Sequence, residues 1–166
     1  MTPAPTPSQT VGPFFSIGLC NRSANDLVED GPIAIEGAVL DGAGDPVPDA
    51  MVEIWQADAG GSYSAAFGWG RSGTDDEGRY SFRTVKPGAV DGQAPHLVVL
   101  VFARGLLKPV LTRMYFADEA EANAADAVLA ALPPADAATL VAEADGDRLR
   151  FDVRLQGERQ TAFFEL

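Results

Sequence analysis

The sequence predicts a mainly β protein, an antiparallel β-sandwich with an N-terminal arm and a short helical excursion. About seven short apolar segments are separated by turns rich in Gly, Pro and Asp, a spacing typical of sandwiches. The chain has 166 residues, enough for one domain with a sizeable core. We therefore expect an extended arm over residues 1–31 and a β-sandwich domain over residues 32–166.

The arm and the first strands are predicted from composition and turn residues. Residues 1–31 are rich in Pro, Ser, Gly and Asn, and their apolar residues follow no period. Such a segment is expected to be extended and to lie on the rest of the protein. Strands are predicted at 33–40, 51–56 and 79–84, with turn residues at 41–48 and 75–78 and a compact loop at 64–73.

The second half of the chain adds further strands and the helical excursion. Residues 97–103 are almost wholly apolar and rich in Val, which predicts a strand covered on both faces, and residues 112–116 predict the next strand. Residues 118–132 are rich in Ala and Glu and stop at two prolines, so they predict a helix, with a shorter helix at 135–144. Strict alternation over residues 149–156 predicts a one-faced strand, and residues 161–166 close the chain.

Charge and composition exclude several classes of partner. The net charge of −12 disfavours nucleic acid and anionic membranes. No apolar run approaches the ~20 residues of a membrane span, and the first residues do not resemble a signal peptide. The one cysteine, Cys20, fits a reducing compartment. We expect a cytoplasmic protein.

The chain has one histidine, His96, in the segment Ala94-Pro95-His96-Leu97-Val98. A His-ligated metal site usually draws on two or more imidazoles, so this chain cannot build such a site alone. Three interpretations stay open. His96 is structural, or it belongs to a site that has been lost, or the chain works beside a partner that carries the chemistry.

Several separated motifs occur in the order of one family. Residues 37–56 contain the turn Gly44-Asp45-Pro46-Val47-Pro48 between two strands and lead into the segment Trp55-Gln56-Ala57-Asp58-Ala59-Gly60-Gly61-Ser62-Tyr63. Further motifs lie at 7–15, 103–105, 112–116 and 151–158. In these residues the chain resembles the intradiol ring-cleaving dioxygenases, which have a transthyretin-like (prealbumin-like) sandwich. Within that family it is most similar in pattern to the alpha chains of the protocatechuate 3,4-dioxygenases, over residues 6–166.

The resemblance implies an iron site that this chain has lost. In the family, Fe³⁺ is held by two tyrosinates and two histidines, which are hard phenolate oxygens and borderline imidazoles. Tyr63 and His96 stand at two of these positions, whereas Val90 and Val98 stand at the others and offer no lone pair. An arginine three residues before the histidine pair, which in the family stabilises the substrate, is replaced by Gln93. We therefore expect no metal and no catalytic residue in this chain alone, with Tyr63 and His96 as a hydrogen-bonded pair in a degenerate pocket.

The resemblance also implies a role beside a beta subunit that binds the Fe³⁺. The enzyme would open protocatechuate with O₂ to 3-carboxy-cis,cis-muconate, in a pocket at the interface of the two subunits. The substrate-binding contribution of this chain would come from Thr10, Gly12, Pro13 and Phe14 on the arm and from Arg104. A guanidinium matches a carboxylate bidentately, so Arg104 is expected either near the substrate carboxylate or in a surface salt bridge.

Two other functions stay open. A single-chain intradiol dioxygenase would need replacement ligands, and Val90 and Val98 argue against it. A non-catalytic, prealbumin-like binding module would explain the fold but not the motifs of the arm and of the Arg104 loop. Trp55 and Trp69 are expected to be core or interface aromatics, and Arg113 a structural pairing residue.

Overall fold

The computed structural model describes residues 4–12, 14–20 and 24–165. Over this part of the chain it contains nine strands and four short helices, so the mainly β prediction is confirmed. The strands are β1 (Ile33–Leu40), β2 (Met51–Gln56), β3 (Trp69–Gly73), β4 (Arg79–Thr84), β5 (His96–Phe102), β6 (Val110–Phe116), β7 (Val141–Asp145), β8 (Arg148–Arg150) and β9 (Val153–Arg154). The helices are α1 (Phe15–Leu19), α2 (Ala120–Ala125), α3 (Ala127–Ala130) and α4 (Pro134–Ala138). None of these described helices is long and apolar enough to cross a membrane.

The described strands follow one hydrogen-bonded path in the order β3-β2-β5-β6-β7-β8-β1-β4, and β9 pairs with β1. The prediction of a purely antiparallel sheet is wrong at three pairings, because β6 and β7 are parallel and β1 is parallel to β8 and β9. The physical reason at β7 is the connection over residues 117–140, which contains α2, α3 and α4 and returns the chain in the same direction. The two ends of the path lie side by side, since the Ser81 amide donates to Ser72 Oγ over 3.3 Å.

Four predicted elements have different bounds in the structure. The predicted loop at 64–73 contains β3, and the predicted extended arm contains the five-residue helix α1. The helix expected at 118–132 is broken at Asp126, whose backbone is extended and whose side chain caps α3. The helix expected at 135–144 ends at Ala138, because residues 141–145 pair with β6 and β8 as β7.

The alternating segment at 149–156 is divided into β8 and β9, which both pair with β1. Between them, the Ala38 amide donates to Asp152 Oδ1 over 3.0 Å instead of to a backbone carbonyl. The hydroxyl of Tyr80 donates to the carbonyl of Phe151 over 2.5 Å. Side-chain hydrogen bonds therefore replace part of the backbone ladder at this break.

The larger core cluster lies on one side of β2, β5 and β6, and a smaller cluster of Ala94, Tyr115, Leu129 and Leu140 lies beside the helical excursion. Leu97, Val99 and Val101 of β5 are buried in the larger cluster, whereas Val98 on the opposite side is only half-buried. The expectation that β5 is covered on both faces is thus met on one face only. We call the half-covered side, which carries Trp55, Val98 and Arg113 in adjacent strands, the site face.

Candidate functional site

The two loop positions of the implied ligand set are held near each other by backbone contacts. The turn before Tyr63 packs on the loop before Val90, where the Gly88 amide donates to the Asp58 carbonyl over 2.8 Å. Gly61 has a φ of 79°, and a Cβ placed on it would lie 2.2 Å from the Ala89 carbonyl oxygen. This approach requires glycine, which explains the residue type within the motif.

The two strand positions lie on the site face. His96 and Val98 are two residues apart on β5, so both side chains point to the same side of the sheet. On β6, Tyr115 lies opposite His96 and Arg113 lies opposite Val98. Trp55 of β2 is the other neighbour of Val98. The implied ligand positions are therefore flanked by one cation and by aromatic rings.

Tyr63 lies against Trp55 at the edge of the site face. Their ring centroids are 5.5 Å apart at 73°, an edge-to-face contact. Tyr63 is 41% exposed, Trp55 49% and Trp69 48%. Of the two roles expected for the tryptophans, core or interface, the core role is excluded and the interface role stays a prediction. Partial burial raises the pKa of the Tyr63 hydroxyl, an effect that the nearby Arg113 charge opposes. Tyr63 is a neutral phenol at neutral pH.

His96 is almost fully buried, with 5% of its surface exposed. Its Nδ1 lies 2.8 Å from the Ala94 carbonyl oxygen, so Nδ1 carries the proton and donates. Its ring centroid is 5.5 Å from that of Tyr115. Burial lowers the pKa of the imidazole, although the Ala94 hydrogen bond opposes this shift. The surviving histidine is a neutral, buried ring. The hydrogen bonds found for His96 do not involve Tyr63, so the expected Tyr63–His96 hydrogen-bonded pair is wrong.

Arg113 links the segments of the site by hydrogen bonds. It donates from Nη1 to Gln93 Oε1 over 2.6 Å and to the Tyr115 hydroxyl over 3.2 Å. The Tyr115 hydroxyl donates to Asp126 Oδ1 over 3.4 Å. Asp126 also accepts the amide of Ala94 on Oδ2 over 2.8 Å. A continuous network thus runs from the turn before β5 to the start of α3.

The donors at these positions do not fit a ferric ion. Tyr63 and His96 supply one oxygen and one nitrogen donor, whereas Val90 and Val98 supply none. Arg113 adds a positive charge beside the position of Val98. The site that the resemblance implies requires four donors and anionic phenolates, and this set provides neither.

The predicted substrate-binding residues divide into two groups. Thr10 and Arg104 come together, because the Gly105 amide donates to Thr10 Oγ1 over 2.8 Å. Gly12 is exposed and accepts a hydrogen bond from the Phe15 amide over 3.0 Å, and Phe14 is 79% exposed. Pro13 lies outside the described residues.

Arg104 forms a salt bridge with Asp49, while 55% of its side chain stays exposed. This contact raises the pKa of the guanidinium. Sequence reasoning named neither Asp49 nor Asp126 as a site residue. Asp49 lies 55 positions from Arg104, and the only sequence signal for Asp126 is an acidic residue inside an Ala-rich segment.

The comparisons with known proteins agree with this geometry. A family model described as Dioxygenase matches residues 19–157. The protocatechuate 3,4-dioxygenase alpha chain of Burkholderia cepacia is 42% identical, with 97% of each chain covered. The beta chain from the same organism is 38% identical over 51% of this chain and 44% of its own length.

A solved structure is similar over nearly the whole chain. It is the dioxygenase domain of a carbohydrate-binding fusion protein from Streptomyces sp. SirexAA-E, with a TM-score of 0.67 and 29% identity. The match covers 93% of this chain and 99% of that domain. On these matches, the chain belongs to the intradiol dioxygenase family and is a homologue of its protocatechuate 3,4-dioxygenase alpha chains.

Proposed function

We propose that this chain is the alpha subunit of a protocatechuate 3,4-dioxygenase, which shapes the substrate pocket at the interface with an iron-bearing beta subunit. The complete enzyme would cleave protocatechuate with O₂ to 3-carboxy-cis,cis-muconate, in the cytoplasm. The observation that carries the proposal is that the implied ligand positions 90 and 98 are valines. The chain is also similar to a protocatechuate 3,4-dioxygenase alpha chain over 97% of its length. The Fe³⁺ of the partner would supply the activation of the catechol toward O₂.

The contribution of this chain would come from the place where the arm meets the Arg104 loop. Thr10 is bound to Gly105, so a displacement of the arm also displaces the backbone next to Arg104. Arg104 is anchored by Asp49 yet more than half exposed. An exposed and oriented guanidinium is suited to a ring carboxylate of a ligand held by a neighbouring subunit.

The surface of the chain supports a protein partner. Apolar side chains are exposed on the arm, on the site face and after Arg104. They are Phe14, Ile17, Trp55, Trp69 and Leu107. Aromatic residues on a surface are typical of protein interfaces. We place the beta subunit against these residues.

Two finer points of architecture belong to the same proposal. We assign the fold as a transthyretin-like β-sandwich, with residues 1–31 as a separate arm. Support comes from the path of the described strands and from the contact between its two ends at Ser72 and Ser81. The short helix α1 and the hydrogen bond from Arg71 Nη1 to the Leu19 carbonyl, 3.4 Å, fasten the arm to β3.

The first experiment compares this chain alone with this chain co-expressed with a beta chain. We expect iron retention, visible tyrosinate-to-Fe³⁺ absorption and protocatechuate-dependent O₂ uptake only in the complex. Turnover by the isolated chain with one bound ferric ion would support a single-chain dioxygenase instead. Failure of the two chains to associate would favour the non-catalytic binding module.

The second experiment tests Arg104 in the complex with the Arg104→Ala variant. We expect the KM for protocatechuate to rise about tenfold and the KM for catechol to change by less than about twofold, because only protocatechuate has the carboxylate. Arg148→Ala is the matched control, since Arg148 is also half exposed and paired with a carboxylate, that of Glu36. Equal effects on the two substrates would remove the carboxylate role of Arg104.

A further inference from the structure

We propose that Arg113 replaces the metal ion in the vestigial centre, so that iron is excluded by charge as well as by missing donors. The vestigial centre is defined here as Tyr63, Val90, His96 and Val98. This inference concerns the residues of this chain and depends on its family membership, not on the proposed role in a complex. It assigns to Arg113 a function beyond the structural pairing that the sequence suggests.

The position of Arg113 follows from the strand register. It lies directly opposite Val98 on the neighbouring strand, with its Cβ on the same face as the vestigial centre. The guanidinium also lies 6.0 Å from the ring centroid of Phe164, which packs on one side of it.

The direct hydrogen-bond partners of Arg113 among the described residues are neutral groups, the Gln93 amide oxygen and the Tyr115 hydroxyl. The carboxylate of Asp126 is reached only through that hydroxyl, and it also accepts three backbone amides. The positive charge is therefore held within the centre rather than neutralised by a contacting carboxylate. A second cation brought to the same place would be repelled by this charge.

Gln93 explains how this arrangement relates to the family pattern. The resemblance places an arginine at position 93, three residues before the histidine pair, and this chain has glutamine there. Arg113 reaches the side chain of Gln93 over 2.6 Å. Position 93 therefore has no guanidinium of its own, and Arg113 on β6 supplies one instead. This guanidinium lies beside Val98, one of the former ligand positions. Restoring the two lost donors would leave this charge in place.

The test uses variants of the full chain that restore the donors, with and without the charge. Val90→Tyr/Val98→His is compared with the same double variant carrying Arg113→Gln or, as the matched control, Arg113→Lys. Each protein is loaded with Fe³⁺, and bound iron and the tyrosinate-to-Fe³⁺ absorption band are measured. We expect the Arg113→Gln triple variant to bind Fe³⁺ at least about 100-fold more tightly than the double variant and the Arg113→Lys triple variant.

Two outcomes would overturn the proposal. Equal affinity of the double variant and the Arg113→Gln triple variant would mean that the charge is no barrier. Absence of iron from a folded Arg113→Gln triple variant would mean that the missing donors and the Arg113 charge do not explain why the centre binds no iron.

If the triple variants fail to fold by circular dichroism, the single variants Arg113→Gln and Arg113→Lys are titrated with Cu²⁺. Quenching of tryptophan fluorescence reports binding, since Trp55 contacts Tyr63 and Trp69 lies opposite Trp55. Tighter Cu²⁺ binding by Arg113→Gln supports the proposal, and equal binding by the two variants contradicts it.

Discussion

Replacing Asp126 by alanine tests the network that joins the helical excursion to the vestigial centre. The buried carboxylate accepts the amides of Ala94 over 2.8 Å, Val128 over 2.8 Å and Leu129 over 3.1 Å, and the hydroxyl of Tyr115 over 3.4 Å. The alanine variant leaves these three backbone amides without a hydrogen-bond acceptor and removes the N-cap of α3. A buried donor without an acceptor costs about 1–3 kcal/mol, and water can reach the partly buried Val128 amide. We therefore expect the free energy of unfolding to fall by about 3 to 5 kcal/mol.

The assay is urea denaturation followed by far-UV circular dichroism, with the unfolding free energy taken from midpoint and slope. Asp136→Ala is the matched control, because Asp136 is an exposed acidic residue in the first turn of α4. We expect the control to change the unfolding free energy by less than about 0.5 kcal/mol. A loss below about 1 kcal/mol for Asp126→Ala would refute the network as a source of stability.

The pH dependence of the same site has a defined sign. Burial raises the pKa of Asp126, but the amides of Leu129, Ala94 and Val128 outweigh this and hold it below the usual value. A depressed carboxyl pKa adds stability above the pKa of the unfolded chain, about 3.9, and this stability is lost as the pH falls through the folded pKa. The stability difference between the native chain and Asp126→Asn should therefore shrink from about pH 5 to about pH 3. A constant difference would contradict the assignment.

Two further predictions concern the loops around the site. Gly61→Ala should lose at least about 3 kcal/mol and Gly92→Ala about 1 kcal/mol, since both glycines have positive φ but only Gly61 lies against the Ala89 carbonyl. Equal falls in melting temperature would contradict that contact. Asp49→Ala should change stability by less than about 1 kcal/mol but raise the KM of the complex for protocatechuate, because Arg104 loses the partner that orients it. An unchanged KM in O₂-uptake assays would show that Asp49 does not orient Arg104.

Local patterns in the sequence were sufficient for most strands. β1, β2, β4, β5 and β6 lie within one or two residues of the predicted ranges, because each has apolar residues bounded by turn residues. β3 was missed because its sequence, Trp-Gly-Arg-Ser-Gly, has two glycines and no apolar alternation. β7 was predicted as helix because its alanines favour helix, whereas pairing with β6 and β8 decides its structure.

The vestigial centre was predicted from the family resemblance, which assigns its four positions, but the contacts of its neighbours were not predicted. Arg113 contacts Gln93 across 20 positions, and Arg104 contacts Asp49 across 55. Such pairs depend on strand register, which a single sequence does not provide. The family resemblance therefore named the positions that lost their donors, whereas the position of the cation beside them required the structure.

The pairing of β1 with β8 and β9 sets the order in which the strands of this protein can pair during folding. Ile35 lies opposite Leu149 and Val39 opposite Val153, so one side of the first strand is satisfied only by residues more than 110 positions later in the chain. Contacts this distant in sequence slow folding. During synthesis, β2, β5 and β6, with the aromatic residues of the site face, emerge before β8 and β9 can complete the sheet. The nascent chain thus exposes apolar surface until β8 and β9 have been synthesised and can pair with β1.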